Sequence, residues 1–251
     1  MSKILLFFHF SDKFQICIEF YYQNYSNFII TNLFLTKPGS CNDGTLFLVD
    51  CSADMFDQAD GDLSLFQKSM QAIQNVYHNK IFGSDKDFSG ILFFATQINN
   101  TNDDFENIYL FQDLSQPNAE RIKQIESFTL DFDKNKFQDE YGCSENFQFD
   151  KVLWYCSNMF SSIKKKLDTK RILMFTRKSN PHRGNKFLEK LAKRKAADIA
   201  DMGIVMEIIP LMNDGENFDY LEFYGDILML TEEQIKLLPD AAVTFDQLEN
   251  A

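Results

Sequence analysis

Asp50, Ser52 and Asp54 place a carboxylate, a hydroxyl and a second carboxylate at alternate positions of one short string, Asp50-Cys51-Ser52-Ala53-Asp54. Hard oxygen donors so spaced could hold a cation such as Mg²⁺. The same side chains could equally cap a turn or helix that follows them. A second candidate is the basic stretch at residues 176–184 (TRKSNPHRG), where His182 could serve as a ligand or a base. No acid or nucleophile is paired with it in the sequence, and a solvated loop turning at Asn180-Pro181 fits the same residues. A third is residues 186–202, where helical spacing puts Lys186, Lys190, Lys193 and Arg194 on one stripe and Leu188, Leu191, Ala192, Ala196 and Ile199 roughly opposite. That stripe is either the wet side of an amphipathic helix or a face for a partner or a phosphate.

Other chemistries find little support. There is no P-loop, GxSxG, HExxH or dinucleotide fingerprint, and His9, His78 and His182 form no constellation, so motifs assign no catalysis. The five cysteines are odd in number and lack CxxC spacing, which argues against zinc and a disulfide framework and for reduced thiols. Asn24 and Asn99 head N-glycosylation triplets, but the apolar run at residues 4–10 ends at Asp12 and Lys13 without a cleavage site for secretion. No stretch is long enough to span a membrane.

With a net charge of -12 the chain as a whole repels a phosphate backbone, so nucleic-acid binding is not the default reading. Residues 161–195 run the other way, with thirteen Lys or Arg against Asp168 and Glu189, leaving +11 there and -23 elsewhere. Lys164–Lys166 and the cations at 177–183 flank an apolar run at 170–176, which as a strand would hold them roughly 23 Å apart. They are therefore expected at opposite ends of a sheet rather than in one DNA footprint.

The elements that would position these residues alternate. Near-continuous apolar runs at 45–51, 90–96, 170–176 and 204–210 read as buried strands, and the mixed run at 107–111 as an edge strand. Helical spacing predicts helices over 65–81, with Phe66, Met70, Ile73 and Tyr77 on one face, and over 117–128, 151–166, 186–202 and 218–230. Gly203 is placed to stop the fourth of these. The pattern predicts a doubly wound α/β domain with a mostly parallel sheet flanked by helices. Ligands of such sheets bind beyond the C-terminal strand ends, where the Asp50 string and the 176–184 loop both fall.

Several strings, in order, resemble the smaller, seventy-kilodalton-type subunit of Ku. They include FLVDCSADMF (47–56), NIYLFQDLSQPNAERI (107–122), VLWYCSNMFS (152–161), KRILMFTRKSNPH (170–182) and FDYLEFYGDIL (218–228). The resemblance covers about residues 44–230 and implies a von Willebrand factor A-like, Rossmann-type fold. Residues 1–43 are then an unplaced extension, and 231–251 an acidic tail leading towards a β-barrel. The chain ends where that barrel would begin, so a partial product or an isolated domain is expected.

The resemblance implies a nuclear protein that pairs with the larger Ku subunit. It would grip DNA ends through the full-length complex and serve non-homologous end joining and telomere maintenance through end-joining or telomere factors, without a membrane. The A-type metal motif is Asp-x-Ser-x-Ser; Asp50 and Ser52 match and Asp54 replaces the final Ser. The family site also takes a Thr from a later loop and an Asp after a following strand. Here no such Thr follows Gly142, and Arg177-Lys178 follow the strand, so neither metal nor cofactor is expected. The alternative is a divalent-cation-dependent adhesion domain using Asp50 and Ser52. Asp198 and Asp201 match outward acidic positions of the family's fifth helix, so these two with Lys190 and Arg194 are the expected partner-binding residues. The family is also associated with helicase and 5'-deoxyribose-phosphate lyase activities. Lys37 is nearest to its lyase lysine, one position out of register, and the chain alone is expected not to be catalytic.

Overall fold

Strand β3 (Asp43–Asp50) is buried at every position, and its side chains alternate between two cores. Leu46 and Leu48 point to one side, Phe47 and Val49 to the other. In the computed structural model β3 is the centre of a five-stranded sheet. The structure describes residues 5–10, 14–19, 42–58, 63–83, 86–101, 105–130, 132–213, 216 and 218–228. A separate antiparallel hairpin precedes the sheet, formed by β1 (Leu5–Phe10) and β2 (Phe14–Glu19).

Across the sheet the order is β5 (Ile108–Ser115), β4 (Phe88–Phe94), β3, β6 (Thr169–Thr176), β7 (Val205–Pro210). Pairings among β4, β3, β6 and β7 are parallel, and β5 runs antiparallel on the edge. Chain order reverses between β3 and β6, so the crevice expected to bind ligands opens at the C-terminal ends of those two strands. The doubly wound, mostly parallel sheet read from the sequence is the observed one.

Helices cover both faces. Under one lie α1 (Leu65–Gly83), α2 (Ala119–Glu126) and α3 (Lys134–Glu140), meeting Phe47, Val49, Phe93 and Phe175 in a phenylalanine-rich core. Phe66 is its hub, with ring contacts to Phe56, Phe93, Phe128 and Phe137. The other face carries α4 (Phe149–Ser162), α5 (Lys186–Asp201) and the short α6 (Tyr224–Ile227) over Leu46, Leu48, Leu92 and Met174.

Several boundaries differ from the sequence reading. Asn118 caps α2 through its carboxamide, 3.0 Å from the Arg121 amide, so Pro117 precedes the cap instead of sitting in the first turn. Helix α4 begins two residues early and stops at Ile163, whose backbone is extended. The helix expected over 218–230 shrinks to α6, with 229–230 outside the described residues. Asp219 is the reason: its carboxylate accepts the Leu221 and Glu222 amides and holds a turn where a helix would start. Lys37 and the acidic tail also lie outside the described residues.

Among the described residues no helix is long and apolar enough to cross a membrane. Cys51, Cys143 and Cys156 are free thiols.

Gly142 has φ of +63°, and a Cβ there would sit 2.5 Å from the Gln97 Cβ. Gly142→Ala should therefore cost about 2 kcal/mol in urea denaturation.

Candidate functional site

Asp50 ends β3 wholly buried, and each of its carboxylate oxygens accepts a hydrogen bond from the protein. One oxygen accepts the Ser52 amide at 2.9 Å; the other accepts the Thr176 hydroxyl at 2.7 Å. Thr176 ends β6, so this bond closes the seam between the two strands where the chain order reverses. The Thr176 oxygen in turn accepts the Lys178 amide at 3.1 Å and turns the loop away from the sheet. Ser52 faces elsewhere: its hydroxyl donates to Asp54 at 2.7 Å, and its carbonyl accepts Met55 N to start the 3-10 turn Ala53–Phe56. Burial raises the Asp50 pKa, against the bonds from Thr176 and Ser52 and the positive charge of Lys178.

The cations beside this cluster are fixed by acids. Arg177 donates to the Asp54 carbonyl at 3.1 Å, lies 3.8 Å from the Asp57 carboxylate and is ion-paired with Glu216. Lys178 is paired with Glu145. This donor set does not fit a divalent cation. The Asp50 oxygens are taken by N–H and O–H donors, the Ser52 hydroxyl is turned to Asp54, and two side-chain cations occupy the positions after β6. Asp50 and Ser52 organise the following turn, one of the two roles open to them in the sequence.

His182 is not a solvated loop residue. It is buried, packed against Phe147 and Phe223, and its Nε2 accepts the Phe149 amide at 3.0 Å. Gln148 makes no side-chain cap at the start of α4, so the histidine ring of a distant loop caps that helix. Nε2 can accept only while the ring is neutral. Burial lowers the His182 pKa, partly offset by Asp150 and Glu189. A cavity of about 720 Å³ opens beside it, between the first turns of α4 and α5 and the β4–β5 loop.

The α5 candidates form a second, separate surface. Lys190, Arg194, Asp198 and Asp201 are all exposed on the outer side of α5, while Ala192, Ala196 and Ile199 are buried beneath. Asp198 pairs with Lys195 at 3.0 Å. The acids Asp198 and Asp201 in the last turn oppose the helix dipole, at about 0.3–1 kcal/mol each, whereas Glu189 in the first turn favours it.

Lys164–Lys166 precede β6 and Arg177–Arg183 follow it, so the two basic clusters sit at opposite ends of that strand, as its length implied. Further pairs neutralise the +11 segment: Arg183 with Glu222 and Lys193 with Asp226. The sequence reading used Trp154 only as part of the family string at 152–161 and passed over Phe105. Trp154 lies off the buried face of α4, is 40% exposed and meets Phe105 edge-on at 5.2 Å.

The model of the Ku70/Ku80 N-terminal alpha/beta domain matches residues 44–240. The chain belongs to this Ku family. It is 35% identical over 209 residues to mouse X-ray repair cross-complementing protein 6, covering 83% of this chain and 33% of that protein. It is 34% identical to the ATP-dependent DNA helicase 2 subunit 1 of Rhipicephalus appendiculatus, covering 84% and 34%. With the ATP-dependent DNA helicase ku70 of Dictyostelium discoideum the identity is 29%, over 84% and 25%. The chain thus spans about a third of the length of the first two relatives. Among solved structures, the SpRpn10 VWA domain superposes with a TM-score of 0.49 at 14% identity over 77% of this chain and 85% of that one, so membership rests on the family match.

Two outcomes are expected here. Asp50→Ala leaves the Ser52 amide and Thr176 hydroxyl buried without their acceptor and should cost about 2–4 kcal/mol in urea denaturation. Folding lowers the His182 pKa below its ordinary 6.5, so as pH falls the unfolded chain takes up the proton first. The stability held by neutral His182 is complete above about 6.5 and lost as pH falls through and below it. Comparing His182→Gln with the parent chain across pH 8 to 5 should show a flatter acid limb in the variant.

Proposed function

We propose that this chain is the α/β docking domain of a Ku70-type subunit. It acts in double-strand break repair by non-homologous end joining, and in telomere maintenance, through protein contacts in the nucleus. The observation that carries this reading is the family match over 44–240 combined with identity above 30% to two Ku relatives. The larger Ku subunit is its proposed partner, and DNA ends are held by the complex. The exposed α5 stripe of Lys190, Arg194, Asp198 and Asp201 is the proposed face for end-joining or telomere factors. All four side chains are exposed, and Asp198 and Asp201 sit unfavourably at the negative end of the helix dipole, which supports a role other than holding the helix together. The divalent-cation-dependent adhesion reading is disfavoured by the donor arrangement around Asp50.

A DNA-end binding assay across a salt series tests the division of labour. The chain alone should retain no ends at physiological salt, because its basic segment is split by β6 and paired with acids. Tight binding by the chain alone, weakening steeply as salt rises, would contradict it. In cells, the tagged chain should co-precipitate the larger Ku subunit. Reversing Asp198 and Asp201 to lysine should leave that pairing within about twofold while reducing recovery of end-joining factors several-fold. Unchanged recovery would remove the α5 stripe from the account.

A further inference from the structure

Tyr224 opens α6, and its side chain is wholly buried in the core beneath that helix. The ring is fixed by edge-on contacts with Phe149 at 6.4 Å and Phe223 at 5.0 Å, and it stacks on Phe218 at 5.8 Å. This packing carries the hydroxyl to the C-terminal ends of β3 and β6, where it faces Thr176 and the Asp50 carboxylate. No hydrogen-bond partner reaches it among the described residues. A buried hydroxyl without an acceptor is disfavoured and rare in folded proteins.

The hydrogens of this cluster can be followed one by one. The Thr176 hydroxyl gives its hydrogen to Asp50 and accepts the Lys178 amide, which leaves it a lone pair. Asp50 accepts the Ser52 amide on one oxygen and Thr176 on the other, and each oxygen keeps a further lone pair. Burial, with the Asp50 charge nearby, raises the Tyr224 pKa well above its ordinary 10, so the phenol keeps its proton and has to donate it. An unplaced hydrogen and unfilled acceptor positions therefore face one another without direct hydrogen-bond contact.

We propose that a single water molecule is bound here as a fixed part of the fold, joining Tyr224 of α6 to Asp50 of β3 and Thr176 of β6. Water accepts the Tyr224 hydrogen and donates its own hydrogens to the free lone pairs of Asp50 and Thr176, so every hydrogen in the cluster has an acceptor. A metal ion or an ammonium ion would leave the phenol hydrogen without one. The hydrogen count thus selects a neutral ligand of water's size that both accepts and donates. A helix as short as α6 does not hold itself together alone. The water anchors it to the strand ends, alongside its ring contacts and the pair between Asp226 and Lys193. This inference goes beyond the Ku reading and does not depend on it.

A crystal structure of the full chain, at a resolution that shows ordered waters, tests the site directly. One water should lie within hydrogen-bond distance of the Tyr224 hydroxyl and an Asp50 oxygen. Urea denaturation of Tyr224→Phe tests it independently, and because the ring and its packing are kept the variant should fold. With the water in place, losing its donor should lower the folding equilibrium constant roughly fivefold. A hydroxyl that truly lacks a partner is destabilising, so its removal would leave that constant unchanged or raise it. Either of those results would overturn the proposal, as would a Tyr224 hydroxyl bonded directly to Thr176 or Asp50. So would a denaturation midpoint that rises saturably with sodium or potassium over tetramethylammonium at constant ionic strength, which would put a cation at the site.

Discussion

The C-terminal edge of this sheet is organised by one buried carboxylate. Asp50 can only accept hydrogen bonds while ionised, and it is removed from water, so its neighbours must present donors. Ser52 supplies an amide and Thr176 a hydroxyl. The Thr176 bond joins the ends of β3 and β6, and the same oxygen receives the Lys178 amide, which sets the direction of the loop that follows. That loop then reaches α4, where His182 caps the helix. A chain of local requirements thus runs from the central strand to the first turn of a helix across the domain.

The same requirements account for what the crevice is built to do. In a doubly wound sheet this is the position for a ligand, and here the protein's own groups fill it. Arg177 and Lys178 supply positive charge, and Asp57, Glu145 and Glu216 hold them in place. Acids from outside the basic segment also pair with Arg183 and Lys193 and so offset part of its excess. What remains exposed on the outside of the domain includes the α5 stripe, proposed above as a face for protein partners.

Much of the fold is legible in the sequence because strands buried on both faces are continuous apolar runs. TLFLVDC, GILFFAT and KRILMFT each mark a central strand within two residues of its bounds. Helix α3 is not legible in this way. Its string KNKFQDE carries one buried apolar residue, Phe137, and its clearest mark is the Asp133 cap. The stretch 218–230 misleads in the opposite sense: its apolar spacing imitates a helix, but the Asp219 carboxylate competes for the backbone amides. At the site, the cations after β6 already argued against a metal. The bond between Asp50 and Thr176 could not be read, because it joins residues far apart in the chain through a sheet register that only folding brings about. The His182 cap was hidden for the same reason.

The most direct test of this account is calorimetric titration of Mg²⁺ into the chain, with Asp50→Ala alongside. If the carboxylate is occupied by Ser52 and Thr176, neither protein shows saturable binding. Saturable binding by the parent chain that vanishes in Asp50→Ala would mean the crevice opens to a cation, and the account of its self-filled edge would be wrong.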